Sequence, residues 1–352
     1  MPLPGGCRTK AYDGSSGELI HGRPADNMTV ALITATSLLK QPQSTHNILE
    51  YAMLHFGCTL CGKCCTLNGS DDLFLTIDEF DKYANDFLLQ GIVTISNPPA
   101  SEAKLVAQNN GIADPIVIAD IERTLASQCD VLHFDGPPFS LSLTAHVAML
   151  PKVGGACWAL VDNKCSIYQS RPYSCQTYPF PINAPLSAAE ELINEVMRGD
   201  VDCDTSDSAP PLIDNGMILS AAHQNAMQHS GKANQLRKRL SAAIKWHPSI
   251  MPQMQQMIKN AVQNGKGTSR MNVMPFLAAA EAFGYISKAR AKDIIERQRD
   301  IAIARIDDAK SKKLSTEKTN TMLLGHFVRD YADLLRDWDS APLSIFNFAR
   351  AV

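Results

Sequence analysis

Eight cysteines lie in two groups whose spacing suits metal binding. The first group is Cys58, Cys61, Cys64 and Cys65, and the second is Cys157, Cys165, Cys175 and Cys203. A Cys-x-x-Cys turn lets two thiolates converge on one ion, and the first group contains two such turns in succession. Three ligands from one loop leave a tetrahedral site incomplete, so the second group is expected to supply the remaining donors.

Cys65 places a constraint on how the first group can bind. If the backbone is extended at Cys64 and Cys65, their sulfurs point to opposite faces and cannot easily bind the same ion. This favours a second centre or a polynuclear cluster. Eight cysteines are consistent with two four-thiolate zinc sites, a bridged zinc pair or an iron–sulfur cluster with extra thiols.

The N-terminal sequence favours thiols over disulfides. It has no apolar core of the length that a secretory signal requires, and no stretch reaches the roughly 20 apolar residues of a membrane span. We therefore expect a cytoplasmic protein without a transmembrane segment. In the reducing cytoplasm, clustered cysteines bind metals more often than they form disulfides.

The formal charge of −3 conceals a strong asymmetry. Residues 1–231 carry a net charge of −13, residues 232–313 carry +11 and residues 314–352 carry −1. The two large charges could complement each other within the chain. Alternatively, the basic helices, including Arg237–Arg239 and Lys310–Lys313, could bind a nucleic acid or an acidic partner.

The pattern along the chain predicts an α+β fold in three parts. Residues 1–49 form an N-terminal extension. Residues 50–205 form a small cysteine-rich metal-binding domain of short strands and helices, with an insertion at about 96–150. Residues 210–352 form a mainly α-helical, partly basic C-terminal domain.

Local signals predict several individual elements. Thr76 and Glu79 form a capping-box pattern, which predicts a helix through about Leu89 that ends at Gly91. Residues 158–168 resemble a hairpin. Two apolar stripes predict packed helices, one from Ala291 to Ile306 and one from Phe327 to Trp338. The segment 265–268 fails the Walker A spacing and is expected to be a loop between helices.

Two signatures in order carry a family resemblance. They are Phe56-Gly57-Cys58-x-x-Cys61-Gly62-x-Cys64-Cys65 and Gly155-Ala156-Cys157, followed by Cys165-Ser166-Ile167-Tyr168-x-x-Arg171-Pro172-x-x-Cys175 and Tyr178-Pro179-Phe180. The sequence resembles the CxxCxxCC proteins, which are described as zinc- or iron-chelating, over roughly residues 50–205.

The resemblance implies a metal site made by seven of the cysteines, namely Cys58, Cys61, Cys64, Cys65, Cys157, Cys165 and Cys175. Two positions depart from the family pattern. Gln176 stands where the family usually has Arg, and Cys203, the eighth candidate ligand, precedes Asp204 rather than Pro-Gly.

Other residues near the signatures are assigned secondary roles. Arg171 and Tyr168 are candidates to support the thiolates, since an Arg can donate hydrogen bonds to sulfur and offset negative charge. His55 could add a ligand, although a packed or exposed histidine is the more ordinary interpretation. Cys7 and Cys129 are expected to be ordinary thiols.

The leading functional hypothesis is a metal-binding protein that holds zinc or iron through clustered thiolates. One alternative is an oxidoreductase or transferase that uses an iron–sulfur cluster. Another is an adaptor for a nucleic acid or an anionic partner. No residue is assigned a catalytic role, and the sequence leaves open whether the protein is an enzyme.

Overall fold

The computed structural model describes most of the chain from Met53 to Trp338. The described residues are 53–62, 64–67, 74–133, 140–152, 156–180, 185–188, 193, 202–214, 217–245, 247, 250–312 and 318–338. Cys7 and the predicted extension 1–49 lie outside these ranges. Within them, no helix is both long enough and apolar enough to cross a membrane.

Antiparallel strands form two sheets and a hairpin. The strands are β1 (Leu54–His55), β2 (Phe74–Leu75), β3 (Leu89–Ser96), β4 (Asp130–His133), β5 (Ser140–Met149), β6 (Leu160–Val161), β7 (Lys164–Cys165), β8 (Pro211–Asp214), β9 (Met217–Ile218) and β10 (Lys266–Met271). The largest sheet has the order β10–β3–β5–β2, with β4 also paired to β5. Strands β1, β8 and β9 form the second sheet, and β6 pairs with β7. Because β10 pairs with β3, the cysteine-bearing half and the C-terminal region share the largest sheet.

Helices dominate the C-terminal region. The helices are α1 (Cys64–Leu67), α2 (Phe80–Tyr83), α3 (Pro99–Asn109), α4 (Pro115–Ala126), α5 (Tyr173–Gln176), α6 (Ala221–Ile244), α7 (Met251–Asn264), α8 (Met274–Ala282), α9 (Lys288–Ser311) and α10 (Lys318–Arg336). The predicted α+β class, with short elements near the cysteines and a helical C-terminal region, is confirmed.

The two predicted apolar stripes lie on the last two helices. Their fully or nearly buried members are Ala291, Ile294, Ile295 and Ala302 on α9, and Phe327, Tyr331 and Leu334 on α10, with Trp338 just beyond. These residues join the same hydrophobic core as β3, β5 and the covering helices. Their helical spacing therefore reflects helix packing, as predicted.

The inserted segment 96–150 contains regular structure that the sequence left unassigned. Helices α3 and α4 pack against each other around a small separate core that includes Val106 and Ile121. Asp114 caps α4 by accepting a hydrogen bond from the Ile116 amide at 2.8 Å, and Pro115 occupies the first helical position. The rest of the segment supplies β4 and β5 to the largest sheet.

Helix α9 is fastened to the cysteine-bearing half by a buried amide. The side chain of Gln298 has no solvent exposure. Its Oε1 accepts from the Leu89 amide at 2.7 Å, and its Nε2 donates to the carbonyls of Ala84 and Phe87 at 2.6 and 2.8 Å. Gln298 thus satisfies three backbone groups at the point where the chain leaves α2 and enters β3.

Replacing Gln298 with alanine is expected to lower the free energy of unfolding by about 2–4 kcal/mol, because it leaves buried backbone groups without partners. Urea unfolding of the full chain measures the change. Arg299→Ala is the matched control, since Arg299 forms a half-exposed ion pair with its neighbour Asp300 and its loss should alter stability by less than about 0.5 kcal/mol. Equal effects of the two substitutions would contradict this role of Gln298.

Arginines of α9 also contact the acidic half of the chain. Arg290 forms an ion pair with Asp81 at 2.5 Å, and Arg297 donates to the Asn85 carbonyl at 2.8 Å. The Arg305 guanidinium lies 3.9 Å from the centre of the Trp158 ring. Part of the basic charge of residues 232–313 therefore faces the cysteine-bearing half.

Two local predictions around Thr76 are corrected by the structure. The capping-box bond exists, since the Thr76 amide donates to Glu79 Oε2 at 3.1 Å, but α2 spans only Phe80–Tyr83. Gly91 is not a helix stop and lies inside β3. Packing explains the glycine at this position, because a Cβ at Gly91 would lie only 2.1 Å from the Phe276 ring.

The expected loop at 265–268 is also wrong. Gly265 ends α7 with a left-handed conformation at φ 77°, and the chain enters β10 directly at Lys266. Strand β10 then pairs along its whole length with β3, from Lys266 opposite Ser96 to Met271 opposite Gly91. This non-local pairing overrides the weak strand signal of the segment.

Candidate metal centre

A backbone bridge brings Cys203 beside Cys58. Gly57 and Asp204 form an isolated antiparallel bridge, with N–O distances of 2.7 and 2.9 Å. The next residue pair along this bridge is Cys58 and Cys203, and residues opposite each other in an antiparallel pair lie about 4.5–5.5 Å apart at Cα. A further bond, from Thr59 Oγ1 to the Asp202 carbonyl at 2.7 Å, continues the contact.

The loop from Cys58 to Cys61 turns tightly through left-handed backbone. Leu60 has φ 59° and Gly62 has φ 72°. The Cys65 amide then donates to the Gly62 carbonyl at 3.0 Å, which closes the turn into α1.

Cys64 and Cys65 lie in a helical turn, so the extended conformation considered from the sequence is wrong. Their thiols hydrogen-bond each other. This bond lowers the pKa of Cys64 to about 7. The positive charge of Arg171 also lowers the pKa, whereas burial acts in the opposite direction and has a smaller effect than the bond. The same bond raises the pKa of Cys65, together with burial and the nearby charges of Cys64, Cys157 and Cys175.

The second cysteine group is joined to the first through Cys65. The Cys157 amide donates to the Cys65 carbonyl at 3.0 Å, and the Leu160 amide donates to the Cys157 carbonyl at 3.1 Å. Leu160 is paired with Cys165 in the β6–β7 hairpin. The predicted hairpin is thus present in shorter form, and it holds Cys165 near Cys157.

Helix α5 carries Cys175 and is held in place by a buried carboxylate. Glu79 Oε1 accepts from the Tyr173 amide at 2.8 Å, while its Oε2 accepts from Thr76. Burial raises the pKa of Glu79, although these hydrogen bonds oppose the rise. The Tyr83 hydroxyl donates to the Ser170 carbonyl just before α5.

Arg171 and Tyr168 lie against the cysteine groups. The Arg171 guanidinium is 4.3 Å from the Tyr168 ring centre, and the Tyr168 hydroxyl hydrogen-bonds the Cys58 thiol. The positive charge of Arg171 favours the thiolates of Cys64 and Cys175. Gln176, where the family usually has Arg, donates to the Arg171 carbonyl at 2.7 Å and fixes the backbone of this residue.

The thiols influence one another electrostatically. Burial and the nearby charges of Cys58, Cys61 and Cys64 raise the pKa of Cys203 to about 11. Burial and the charges of Cys157 and Cys165 raise the pKa of Cys175, against the effect of Arg171. A cluster of this kind resists deprotonation of all its members unless a cation compensates the charge.

All eight candidate ligands lie in the described residues as free thiols. Backbone contacts and mutual charge effects connect each of them to others of the set. No three His, Cys, Asp or Glu side chains of the described residues stand in an arrangement that could already hold a metal ion.

His55 and Cys129 contribute to other parts of the fold. His55 Nδ1 donates to the Ala209 carbonyl at 2.7 Å, which reinforces the pairing of β1 with β8. Cys129 is buried, and burial raises the pKa of its thiol while the neighbouring Ser142 hydroxyl opposes the rise.

Several residues that position the cysteines escaped the sequence interpretation. Glu79 had a signal, the capping-box spacing, but that signal described only its bond to Thr76. The hydroxyls of Thr59 and Tyr83 donate to the carbonyls of Asp202 and Ser170, which are far away in the sequence. No local sequence pattern predicts such contacts.

Substitution of Gly62 by alanine is expected to weaken the packing of the cysteine loop on the β6–β7 hairpin. The new Cβ would lie 2.5 Å from the Asn163 carbonyl oxygen. This clash adds to the cost of about 1–2 kcal/mol for placing a residue with a Cβ in the left-handed conformation. Gly111→Ala is the matched control, because Gly111 has φ 69° but nothing within 4 Å of a Cβ. We expect Gly62→Ala to exceed the control in thermal destabilisation, and equal melting temperatures for the two variants would contradict the contact.

Comparison with known proteins gives a match to a family model. Residues 57–203 match the model of the CxxCxxCC family, described as a "putative zinc- or iron-chelating domain". No curated protein matches the chain. No solved structure matches it either. The matched segment begins at the bridge residue Gly57 and ends at Cys203, so it includes every candidate ligand. The resemblance predicted from the cysteine signatures is confirmed, because residues 57–203 are similar to the CxxCxxCC domain.

Proposed function

We propose that this protein binds zinc or iron through its clustered cysteine thiolates, and that the metal ties the cysteine-bearing segments together. The observation that carries the proposal is that backbone hydrogen bonds bring together cysteines from segments up to 145 residues apart, as at Cys58 and Cys203, and leave them as free thiols. The family match of residues 57–203 supports metal binding in general terms.

The residues fit the proposed metals chemically. Thiolates are preferred ligands of zinc and of iron–sulfur clusters, and neither needs oxygen donors when four thiolates are present. Burial and the charges of neighbouring thiols raise the pKa of Cys175 and that of Cys203, and a divalent cation near either thiol would compensate such charges. Arg171 would supply further compensation, as a support for the thiolates.

The proposed ligands are the eight cysteines of the two groups, namely Cys58, Cys61, Cys64, Cys65, Cys157, Cys165, Cys175 and Cys203. Tyr168 and Arg171 would orient or stabilise the sulfurs through the contacts described above. A bound zinc would supply a structural cross-link without redox chemistry, whereas iron would also permit electron transfer. A reducing cytoplasm, the location we predict, would keep the thiols available.

The contacts of α9 bear on the adaptor hypothesis. Arg290, Arg297 and Arg305 each interact with the cysteine-bearing half, which supports charge complementarity within the chain. Binding of a nucleic acid or an acidic partner by the remaining basic residues stays a prediction.

Elemental analysis with a visible spectrum tests the proposed function. The full chain is purified without oxygen and assayed for zinc, iron and sulfide. We expect stoichiometric metal, with a colourless sample for zinc and sulfur-to-iron absorption for an iron–sulfur cluster. A chain that contains no metal, and takes up neither zinc nor iron under reducing conditions, would contradict the proposal.

A further inference from the structure

We propose that helix α6, which lies outside the matched residues 57–203, holds the Cys175 segment in place for metal binding through His223 and His229. The two histidines would be positioning residues, and the thiols would remain the ligands. This inference rests on the proposed function. It adds that metal binding and the packing of α6 depend on each other.

Helix α5 is too short to keep Cys175 in place by itself. It spans only Tyr173–Gln176, a single turn, and Pro172 before it provides no side-chain cap. A helix of this length gains little stability from its own backbone hydrogen bonds, so its position depends on contacts with the rest of the fold. The bond from the Tyr173 amide to Glu79 is one such contact, and it comes from within the matched residues.

Two histidines of α6 contact residues on either side of Cys175. The His229 ring stacks on the Tyr173 ring, with the ring centres 4.4 Å apart and the planes inclined by 10°. His223 Nε2 donates to the Tyr178 carbonyl at 3.1 Å. Because Tyr173 precedes Cys175 and Tyr178 follows it, α6 holds both ends of the short segment that carries this thiol.

His223 also lies between the two cysteine signatures. Its ring makes edge-on contacts with Phe56, at 6.3 Å between ring centres, and with Phe180, at 5.5 Å. Phe56 belongs to the first signature and Phe180 to the second. A change at His223 would therefore disturb both signatures, whereas a change at His229 would act mainly on α5.

The far half of α6 is anchored to the largest sheet. Ser241 is fully buried, and its Oγ accepts from the Ala145 amide of β5 at 2.9 Å. Leu240 and Ile244 are buried in the main hydrophobic core. Since α6 is one continuous helix, His223 and Ser241 lie about 27 Å apart along it, at about 1.5 Å per residue. Helix α6 therefore connects the Cys175 segment to the largest sheet.

The expected effect on metal binding is one of pre-organisation. A thiolate that is already held near its bound position loses little freedom when the ion arrives, whereas a mobile thiolate must first be ordered and binds more weakly. The free energy of a stacked aromatic pair corresponds to about a 3–10-fold change in an equilibrium constant. By linkage, an ion that binds better when α6 holds α5 must in turn stabilise the contacts of α6.

Zinc affinities of full-chain variants test the positioning role. Competition with a chelator of known affinity gives the apparent zinc dissociation constant under reducing conditions. His229→Ala should weaken zinc binding by about 3–10-fold, because the stack on Tyr173 is lost. His229→Phe keeps a flat ring for the stack and should stay within about twofold of the wild type. Gln228→Ala, an exposed substitution on the same helix, is the matched control and should leave the affinity unchanged.

Hydrogen exchange separates this role from a general effect on stability. Zinc should slow amide exchange in α5 and in residues 221–233 of the wild-type chain, while α3 and α4, which pack around a separate core, should keep their exchange rates. In His229→Ala the slowing by zinc should become smaller in residues 221–233. A residue that only stabilises the fold would leave the response to zinc unchanged.

Two results would overturn the positioning role of α6. One is equal zinc affinity of His229→Ala and Gln228→Ala. The other is exchange in residues 221–233 that does not respond to zinc in the wild-type chain, and this measurement decides the matter if His229→Ala fails to fold. A wild-type chain that takes up neither zinc nor iron would instead overturn the proposed function.

Discussion

Cys175→Ser is expected to lower the free energy of unfolding by about 3–5 kcal/mol and to abolish binding of at least one metal ion. Cys175 lies on α5, near Cys157, Cys165 and Cys64, and burial dominates the rise in its pKa. Loss of this ligand would remove the cross-link between these segments, and free energy of metal binding is coupled to folding in sites of this kind. Thermal unfolding and elemental analysis of the same sample measure both effects.

Cys129→Ser is the control for this prediction. Cys129 is buried, at 2% exposure, whereas Cys175 is half-buried, and the polar neighbour of the Cys129 thiol is Ser142 rather than another cysteine. The control should retain all metal and lose about 1 kcal/mol, a typical effect of a point substitution. A Cys175→Ser variant with the metal content and melting temperature of the wild type would contradict the assignment of Cys175 as a ligand.

Glu79→Gln is expected to destabilise the chain by about 2–3 kcal/mol and to weaken metal binding by about 10–100-fold. Glu79 is 5% exposed, and its two oxygens accept from Thr76 and from the Tyr173 amide. Glutamine keeps the size of the side chain but replaces one acceptor by an NH₂ group, which would face a donor. The N-terminus of α5, and with it Cys175, would lose its fixed position.

Asp78→Asn separates this effect from a general loss of negative charge. Asp78 is the exposed neighbour of Glu79, and its substitution by asparagine removes the same negative charge. Competition for zinc with a chelator of known affinity measures the change in binding for each variant, and urea unfolding measures stability. Equal zinc affinities of Glu79→Gln and Asp78→Asn would show that Glu79 does not position the site.

The sequence indicated the candidate metal-binding residues better than it indicated the backbone contacts that bring them together. The spacing of the cysteines identified the eight candidate ligands, because Cys-x-x-Cys turns and hairpins are local structures. The pairing of Cys58 with Cys203 depends instead on a bridge between residues 147 positions apart, Gly57 and Asp204. Such a contact has no local signature.

The errors in the fold have a common physical origin. The helix expected from Thr76 to Leu89 ends at Tyr83. The backbone that follows forms other hydrogen bonds, since the Ala84 carbonyl accepts from Gln298 and the residues from Leu89 onward pair with β5. The loop expected at 265–268 is a strand because β3 offers it a partner. Amphipathic helices such as α9 and α10 were predicted well, since their 3.6-residue period depends only on which face is buried.

X-ray absorption at the metal edge tests thiolate ligation most directly. Measured on the anaerobically purified full chain, it counts the atoms bound to the metal and identifies them as sulfur or as oxygen and nitrogen. We expect the atoms bound to the metal to be sulfur, about four per zinc ion at about 2.3 Å, or all sulfur in the case of iron. A first shell made mainly of oxygen or nitrogen atoms would contradict it.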